Sequence, residues 1–192
     1  MRILRAGEHK VMPWKNGLGS TTEIAIYPKG ASLDDFDWRV SMASVANDGP
    51  FSSFAGIDRT LSILDGEGMV LAVAGREPVT LKRASDPYAF PADAETSATL
   101  LKGPITDLNV MSRRGKVGHR VRRFAVEGEL LVDVAATAAL LLCQTGNIEV
   151  DTAEGCARLG AHDALGSKTP PQQWAVAAQV RSIAFMIEFV DA

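Results

Sequence analysis

The stretch that decides the fold is VRSIAFMIEFV, residues 180–190, because its large apolar residues recur at every second position. Ile183, Phe185, Ile187 and Phe189 share one face of an extended chain, whereas serine, alanine and glutamate occupy the other face. A period of two residues is typical of a β-strand that rests one face on a core. This segment therefore predicts a strand with one buried face.

Segments of the same kind recur along the chain. Short apolar runs are bounded by Gly, Pro, Asp and Asn, and helical periodicity is nearly absent. Together they predict an all-β fold. The predicted strands cover residues 22–27, 38–45, 60–64, 69–73, 97–101, 106–111, 117–124, 129–135, 139–143, 147–150 and 180–190.

Two blocks of the chain are similarly built. Four residues recur with a shift of 80 positions, as Gly66, Val70, Gly75 and Pro91 and again as Gly146, Val150, Gly155 and Pro171. Each block reads as an apolar strand, a tight turn, a second strand and a turn at the next glycine. The recurrence predicts two copies of one β unit. A pair of small barrels or jelly rolls fits this, because such folds limit exposed sheet edges.

Composition limits the partners that we expect. The chain has 192 residues, 46% of them apolar, which is enough for a buried core. Twenty basic and 23 acidic residues give a net charge of -3, so no strong field attracts nucleic acid or an anionic membrane. The basic run at 113–123 contains no aromatic residue for base stacking, and we interpret it as a solvated face.

No stretch is long and apolar enough for a membrane span, and the N-terminus lacks the apolar region of a signal peptide. We therefore expect a cytoplasmic protein. Its two cysteines, Cys143 and Cys156, are too few for a zinc site, and we interpret both as small buried hydrophobic residues.

One polar run combines several groups that contact ligands. Residues 14–23 read WKNGLGSTTE and bring an aromatic ring, a cation, an amide and two glycines close together. Glycine allows close approach of the backbone, lysine supplies a point charge, and asparagine both donates and accepts hydrogen bonds. By itself such a run is more often an ordinary loop before a strand than a binding site.

Four later segments add to this run: WRVSMA at 38–43, GPFS at 49–52 with FAGIDR at 54–59, GP at 103–104, and DLNVM at 107–111 followed by two arginines. With these motifs, residues 13–114 resemble the HutD/Ves family, small bacterial cupin-like proteins associated with histidine utilisation. Two positions depart from the family pattern. Leu18 stands where a glycine is usual, and Leu108 where phenylalanine is frequent. A side chain at Leu18 would narrow the approach to a ligand.

The resemblance implies a bicupin, meaning two cupin-type barrels (RmlC-like double-stranded β-helices) fused in tandem. The N-terminal barrel, residues 1–115, would carry the motifs and the main pocket, and residues 116–192 would form the C-terminal barrel. The boundary would fall near residues 114–117.

Many cupins bind a metal through a His-x-His pair, a following Glu and a distant His. This chain has His9, His119 and His162, which are 110 and 43 residues apart, so we expect no metal and no cofactor. Neither cysteine has an adjacent histidine, and no Gly-x-Ser-x-Gly motif is present.

Strand alternation sorts the polar residues of the motifs. Arg39 and Ser41 share one strand face, as do Asp107 and Asn109. These residues would either line a lumen or face solvent, and in the second case Arg39 and Asp107 could also form a structural ion pair. The resemblance favours the lumen, and it implies a set of ligand-binding residues: Trp14, Lys15, Asn16, Thr22, Glu23, Arg39, Ser41, Ser52, Asp58, Arg59, Asp107 and Asn109. Guanidinium groups suit a carboxylate, and Trp14, Trp38, Phe51 and Phe54 would supply apolar walls.

We therefore expect a metal-independent protein that binds a small anionic metabolite, such as urocanate or N-formylglutamate, in a regulatory or buffering role in histidine utilisation. Self-association as a homodimer is left open. The alternative is an enzyme acting on the same kind of carboxylate, with Glu23, Asp58 or Asp107 as general acid or base. A third reading is a structural protein whose cavity is filled by its own side chains.

Overall fold

The computed structural model describes residues 1–14, 19–168 and 172–192. Among them it contains seventeen strands and one 3-10 turn, Ala6–Glu8, so the prediction of an all-β fold is confirmed. No helix in this part of the chain is long and apolar enough to cross a membrane. The strands are β1 (Arg2–Leu4), β2 (Lys10–Pro13), β3 (Gly19–Tyr27), β4 (Trp38–Val45), β5 (Gly49–Pro50), β6 (Ile57–Asp65), β7 (Met69–Val73), β8 (Val79–Leu81), β9 (Tyr88–Pro91), β10 (Thr96–Leu100), β11 (Ile105–Arg113), β12 (Val117–Val134), β13 (Ala138–Thr145), β14 (Ile148–Thr152), β15 (Gly155–Leu159), β16 (Ala164–Ser167) and β17 (Gln172–Asp191).

The chain divides into two compact units. One is Lys10–Val117, and the other combines Met1–His9 with Gly118–Ala192. The first nine residues, which we expected in the N-terminal domain, belong to the second unit because β1 pairs antiparallel with β16.

The Lys10–Val117 unit contains two sheets. The larger has the strand order β2-β3-β4-β11-β6-β9, and the smaller has the order β5-β10-β7-β8. Apolar side chains from both sheets form one core, because alternate residues of each strand face the opposing sheet. Its buried members are Leu61, Ile63, Met69, Leu71, Val73, Leu81, Phe90, Ala98 and Ile105.

The second unit is built on one sheet with the order β1-β16-β13-β17-β14-β15, in which β12 also pairs with β17. Its core is apolar and includes Trp174, which is fully buried. Ala184 and Met186 of β17 belong to this core, although the alternation of residues 180–190 predicted that only the opposite face is buried. Both faces of this segment are in fact buried, since Phe185 and Ile187 are inaccessible as well.

The repeat seen in the sequence has a counterpart in strand pairing. In the first unit, β6 pairs with β9 and β11, while β7 pairs with β8 and β10. In the second unit, β13 pairs with β16 and β17, while β14 pairs with β15 and β17. The turn glycines Gly66 and Gly146 adopt similar positive φ angles of 86° and 82°. Pro171, the last member of the repeat, lies outside the described residues.

The sequence predictions differ from the structure in three further respects. The predicted strands at 117–124 and 129–135 form one strand, β12. Seven strands of two to five residues were not predicted, because such short segments show no measurable periodicity; they are β1, β2, β5, β8, β9, β15 and β16. Cys143 is buried as expected, but Cys156 is exposed, and the expectation that it is buried was wrong.

Candidate functional site

Three neighbouring strands of the Lys10–Val117 unit carry polar side chains on one face. In the register of β4, β11 and β6, Met111 lies between Arg39 and Arg59 in one cross-strand row. The next row on the same face contains Ser41 and Asn109, because strand side chains alternate with a period of two. Asp107 stands one row further along β11, opposite Ala43.

This face borders a cavity of about 440 Å³. A cavity of this volume lies within the range of about 300–1,000 Å³ that is usual for small-molecule sites. The charged and polar side chains of β4, β6 and β11 form the floor of this cavity. Aromatic and small apolar side chains form its walls. The lining residues are Trp14, Thr21, Arg39, Ser41, Ala43, Val45, Asn47, Asp48, Gly49, Pro50, Phe51, Ser52, Phe54, Arg59, Ala98, Asp107, Asn109 and Met111.

Arg59 is the most enclosed cation of the cavity, with only 3% of its surface exposed. Its Cζ lies 5.4 Å, 5.3 Å and 5.8 Å from the ring centroids of Phe51, Phe54 and Phe90. Such contacts stabilise a guanidinium without neutralising it. Nη2 donates a long hydrogen bond of 3.4 Å to the carbonyl of Ser52, and Nε has no partner among the described residues.

Burial lowers the pKa of Arg59 to about 10, while the charge of Asp107 acts in the opposite direction and that of Arg39 lowers the pKa further. The guanidinium therefore stays positive at neutral pH. A buried cation without a paired anion is unfavourable in a protein interior. Within the described chain, Arg59 forms no ion pair shorter than 4.0 Å.

Asp107 is completely buried on the same face. Its Oδ1 accepts a hydrogen bond of 2.5 Å from Nδ2 of Asn109, whereas Oδ2 has no partner within the described residues. Burial raises the pKa of Asp107 to about 7, against the opposing effects of Arg59, of the Asn109 amide and of the Ala43 backbone N–H. Two side chains that line the cavity thus each have a buried polar atom without a partner among the described residues, Oδ2 of Asp107 and Nε of Arg59.

Arg39 differs from Arg59 because it has a carboxylate partner. Its Nε donates to Oε2 of Glu23 on β3 at 2.9 Å, and the two side chains are 6% and 19% exposed. Glu23 does not itself line the cavity. It fixes and neutralises the arginine that does, so the two arginines contribute unequally to the charge of the cavity.

Trp14 and Thr21 form part of the cavity wall and are hydrogen-bonded to each other. The indole Nε1 donates to the Thr21 hydroxyl at 2.9 Å, and the backbone N–H of Trp14 donates to the Gly19 carbonyl at 2.9 Å. Lys15, Asn16 and Leu18, which the sequence analysis also singled out, lie outside the described residues.

The structure brings seven of the expected residues to the cavity and places three others elsewhere. The seven are Trp14, Arg39, Ser41, Ser52, Arg59, Asp107 and Asn109. Thr22 pairs with Met42 and faces the opposite side of the sheet from Thr21 and Glu23. Asp58 likewise points away from Arg59, since neighbouring strand residues face opposite sides, and it accepts hydrogen bonds from Arg114 at 2.8 and 3.0 Å. Glu23 forms an ion pair with Arg39 and does not line the cavity.

Several lining residues were missed by sequence reasoning. Strand alternation could have identified three of them, because Thr21 shares a face of β3 with Glu23, and Ala43 and Val45 share a face of β4 with Arg39. Asn47, Asp48 and Ala98 come from a turn and from the smaller sheet, and no local pattern identifies them. Phe51 and Phe54 were expected as apolar walls, and both line the cavity, whereas Trp38 stacks on Tyr27 with ring centroids 5.7 Å apart.

The described residues contain no group of three or more His, Cys, Asp or Glu side chains arranged to hold a metal ion. His9 and His162 belong to the second unit, where a ring nitrogen of His9 lies 3.0 Å from the His162 carbonyl oxygen.

Comparison with known proteins gives consistent relatives. A family model described as HutD matches residues 6–185. An uncharacterized 21.2 kDa protein in the hutC 3' region of Pseudomonas putida is 36% identical over 166 residues, which are 86% of this chain and 85% of that protein. Protein Ves of Citrobacter koseri is 40% identical over 110 residues, 57% of this chain and 56% of its own length.

Solved structures agree with this result. A conserved protein of unknown function from Pseudomonas aeruginosa PAO1 is 38% identical, with a TM-score of 0.92 and 98% of each chain covered. HutD from Pseudomonas fluorescens SBW25 is 32% identical, with a TM-score of 0.84, 100% of this chain covered and 98% of that chain. YhhW from Escherichia coli, at 10% identity, a TM-score of 0.70 and coverage of 99% and 96%, shares the fold alone, which is cupin-like.

Proposed function

Because this chain belongs to the HutD family, we propose that it binds a small carboxylate in the cavity of its Lys10–Val117 unit. We propose further that it acts in the cytoplasm, without a metal, as a regulatory or buffering protein of histidine utilisation. The resemblance to HutD and the location of the Pseudomonas putida relative in the hutC 3' region support the connection with this pathway. Candidate ligands are urocanate and N-formylglutamate.

The observation that carries the proposal is the state of Arg59. This guanidinium is 3% exposed, is surrounded by three aromatic rings and has a nitrogen without a partner among the described residues. A carboxylate entering the cavity would supply the missing anion and accept charge-assisted hydrogen bonds. In a site shielded from water, such bonds are stronger than they are at a protein surface.

The walls suit a ligand with a short apolar or planar body. The apolar part of the lining includes Trp14, Phe51, Phe54 and Pro50, and the polar part includes Ser41 and Asn109, which offer hydrogen bonds. Few polar groups placed among aromatic walls are typical of sites that orient small molecules.

A metal-independent enzyme is the second candidate, and one observation favours it. Of the three carboxylates considered for general acid or base catalysis, Asp107 lines the cavity, whereas Glu23 is engaged by Arg39 and Asp58 faces Arg114. Its unpartnered Oδ2 and its raised pKa near 7 are suitable for moving a proton at neutral pH. Asp107 is therefore the residue on which an enzymatic activity would depend.

We also propose that the two units are cupin-type barrels fused in tandem, with the boundary near residues 114–117. The equivalent pairing of β6 and β7 in one unit and of β13 and β14 in the other supports this arrangement.

Thermal unfolding of the purified protein tests the binding proposal. The protein is heated with and without histidine, urocanate, formiminoglutamate or N-formylglutamate. A ligand present at about 100 times its Kd adds roughly 2.7 kcal/mol of stability, which raises Tm by several degrees. A shift with one carboxylate supports binding, and recovery of that ligand unchanged after long incubation distinguishes binding from catalysis. Absence of a shift with every compound contradicts the proposal.

A further inference from the structure

The carboxyl group of Asp107 has an uneven set of partners. Oδ1 is engaged by the Asn109 amide at 2.5 Å, while Oδ2 is buried in the same cavity floor without a partner among the described residues. A buried polar atom in this state is costly, unless a ligand completes its hydrogen bonding. The neighbouring cation Arg59 forms no ion pair with it within 4.0 Å.

The charged groups around Asp107 can be named strand by strand. Arg39 comes from β4 and is neutralised by Glu23 of β3, Arg59 comes from β6, and Asp48 lies at the cavity wall before β5, where its carboxylate accepts the Leu100 N–H at 2.8 Å. Arg59 is thus the one cation of the described cavity floor that lacks a carboxylate partner. If Asp107 were ionised, it would compete with an incoming anion for this single charge.

Resting on the proposed function, we propose that Asp107 is a specificity residue that binds the ligand as a carboxylic acid. In this arrangement the Oδ2–H donates a hydrogen bond to one oxygen of the bound carboxylate, and Arg59 donates to the same anion. The proton comes from solvent, so one proton is taken up for each anion that binds to the ionised form of the protein.

Physical chemistry supports this arrangement. A carboxylic acid hydrogen-bonded to a carboxylate shares one proton between two groups that could not both remain charged at close range. Burial already raises the pKa of Asp107 to about 7 in the free protein, and a second carboxylate nearby raises it further. The acid form therefore becomes dominant when the anion is bound.

The arrangement also discriminates between ligands. A carboxylate accepts hydrogen bonds from both Arg59 and the acid form of Asp107, whereas an amide of the same shape lacks the negative charge that holds the proton on Asp107. Affinity for an anion should be constant below the pKa of free Asp107 and should fall about tenfold for each pH unit above it.

Isothermal titration calorimetry with N-formyl-L-glutamate tests the proposal, since both carboxyl groups of this probe are ionised above about pH 6 and neither titrates at higher pH. Titrations at pH 6.0, 7.0, 8.0 and 8.5 are repeated in buffers of different ionisation enthalpy, which reports the number of protons taken up. The wild type should take up nearly one proton at pH 8.5 and almost none at pH 6.0.

The variant Asp107→Asn mimics the neutral acid and should bind with an affinity that does not change with pH. With a pKa of about 7 in the wild type, the variant should bind roughly 30-fold more tightly than the wild type at pH 8.5 and about equally at pH 6.0. Asp58→Asn, on the opposite face of β6, is the matched control and should retain the wild-type pH dependence.

A wild-type affinity that is constant from pH 6.0 to 8.5, with no proton uptake, would overturn the proposal even if the variant does not fold. Retention of the full pH dependence in Asp107→Asn would overturn it as well. Failure of both N-formyl-L-glutamate and acetate to bind the wild type at pH 6.0 would instead reject the carboxylate site itself.

Discussion

Arg39 and Arg59 flank Met111 in one cross-strand row and line the same cavity, yet only Arg39 pairs with a carboxylate among the described residues. The strand register gives both arginines the same orientation. Their difference arises one strand further away, because β3 places Glu23 beside β4, whereas β9 places Phe90 opposite Arg59. Glu23 therefore neutralises the charge of Arg39, whereas the aromatic rings around Arg59 leave its charge available to a ligand.

Replacing Arg59 should weaken carboxylate binding. In Arg59→Gln the charge-assisted hydrogen bonds are lost, and we expect a loss of about 2 kcal/mol, or roughly 30-fold in Kd. Arg59→Lys keeps the charge without the planar fork and should be intermediate. Calorimetric titration with N-formylglutamate measures both. Arg83→Gln is the control, because Arg83 is 60% exposed and 3.6 Å from Asp65. An unchanged Kd for Arg59→Gln would show that the anion binds elsewhere.

Removing the partner of Arg39 should have the opposite effect on binding. Glu23→Gln leaves a cation whose side chain is 6% exposed without its carboxylate, so the free energy of unfolding should decrease by about 1 to 3 kcal/mol. The same change adds a net positive charge beside the cavity, and the affinity for a carboxylate should rise. Urea unfolding measures the first effect and calorimetry the second. A lower carboxylate affinity in Glu23→Gln than in the wild type would contradict the conclusion that Glu23 neutralises Arg39. The same change in affinity in Arg39→Gln as in Glu23→Gln would contradict it as well.

Much of the site could be predicted from strand alternation. The pairs Arg39 with Ser41 and Asp107 with Asn109 were each assigned to one face, and all four line the cavity. The same rule, applied strictly, separates Asp58 from Arg59, because adjacent residues of a strand cannot face the same side. The family resemblance implied that Asp58 and Arg59 both bind the ligand, whereas the geometry of the strand places them on opposite faces.

Other features could not be predicted from local sequence. The ring of Phe90 lies 5.8 Å from the Arg59 guanidinium because β9 pairs with β6, and this pairing joins segments about thirty residues apart. The burial of both faces of β17 is also a property of the packing, since alternation in one strand identifies an apolar face and gives no information on what covers the polar one.

Asp58 does not line the cavity, so its replacement should leave carboxylate binding unchanged. Its carboxylate is 2.8 Å from Nη2 of Arg114, which also contacts Asp93 at 3.1 Å through Nη1. Asp58→Asn should leave the Kd for N-formylglutamate within twofold of the wild-type value. The melting temperature should change little, because exposed ion pairs contribute weakly to stability. A large loss of affinity would place Asp58 in the binding machinery.

Gly19 should tolerate no side chain, because a methyl group there would meet the Ser44 carbonyl oxygen and two ring atoms of Trp14 at 2.9 Å. Gly19→Ala should therefore displace the Trp14 ring, change the tryptophan fluorescence and weaken ligand binding. Gly49 also lines the cavity, but an added Cβ meets nothing within 4 Å. Gly49→Ala is thus the matched control and should keep the wild-type fluorescence. Identical spectra and affinities for both variants would contradict the role of Trp14 as a wall.

Asp107 should make the stability of the ligand-free protein depend on pH. Its pKa is raised from 3.8 to about 7 in the folded state by burial, so between these values the folded protein holds a proton that the unfolded chain has released. This contribution to the free energy of unfolding is fully present below about pH 4 and is lost as the pH rises through 7. We expect a loss on the order of 2 to 4 kcal/mol from this group between pH 4 and pH 8.

Urea unfolding of the wild type and of Asp107→Asn across this range measures it. The variant should gain stability relative to the wild type as the pH rises, whereas a difference that stays constant with pH would mean that Asp107 titrates alike in the folded and unfolded chains.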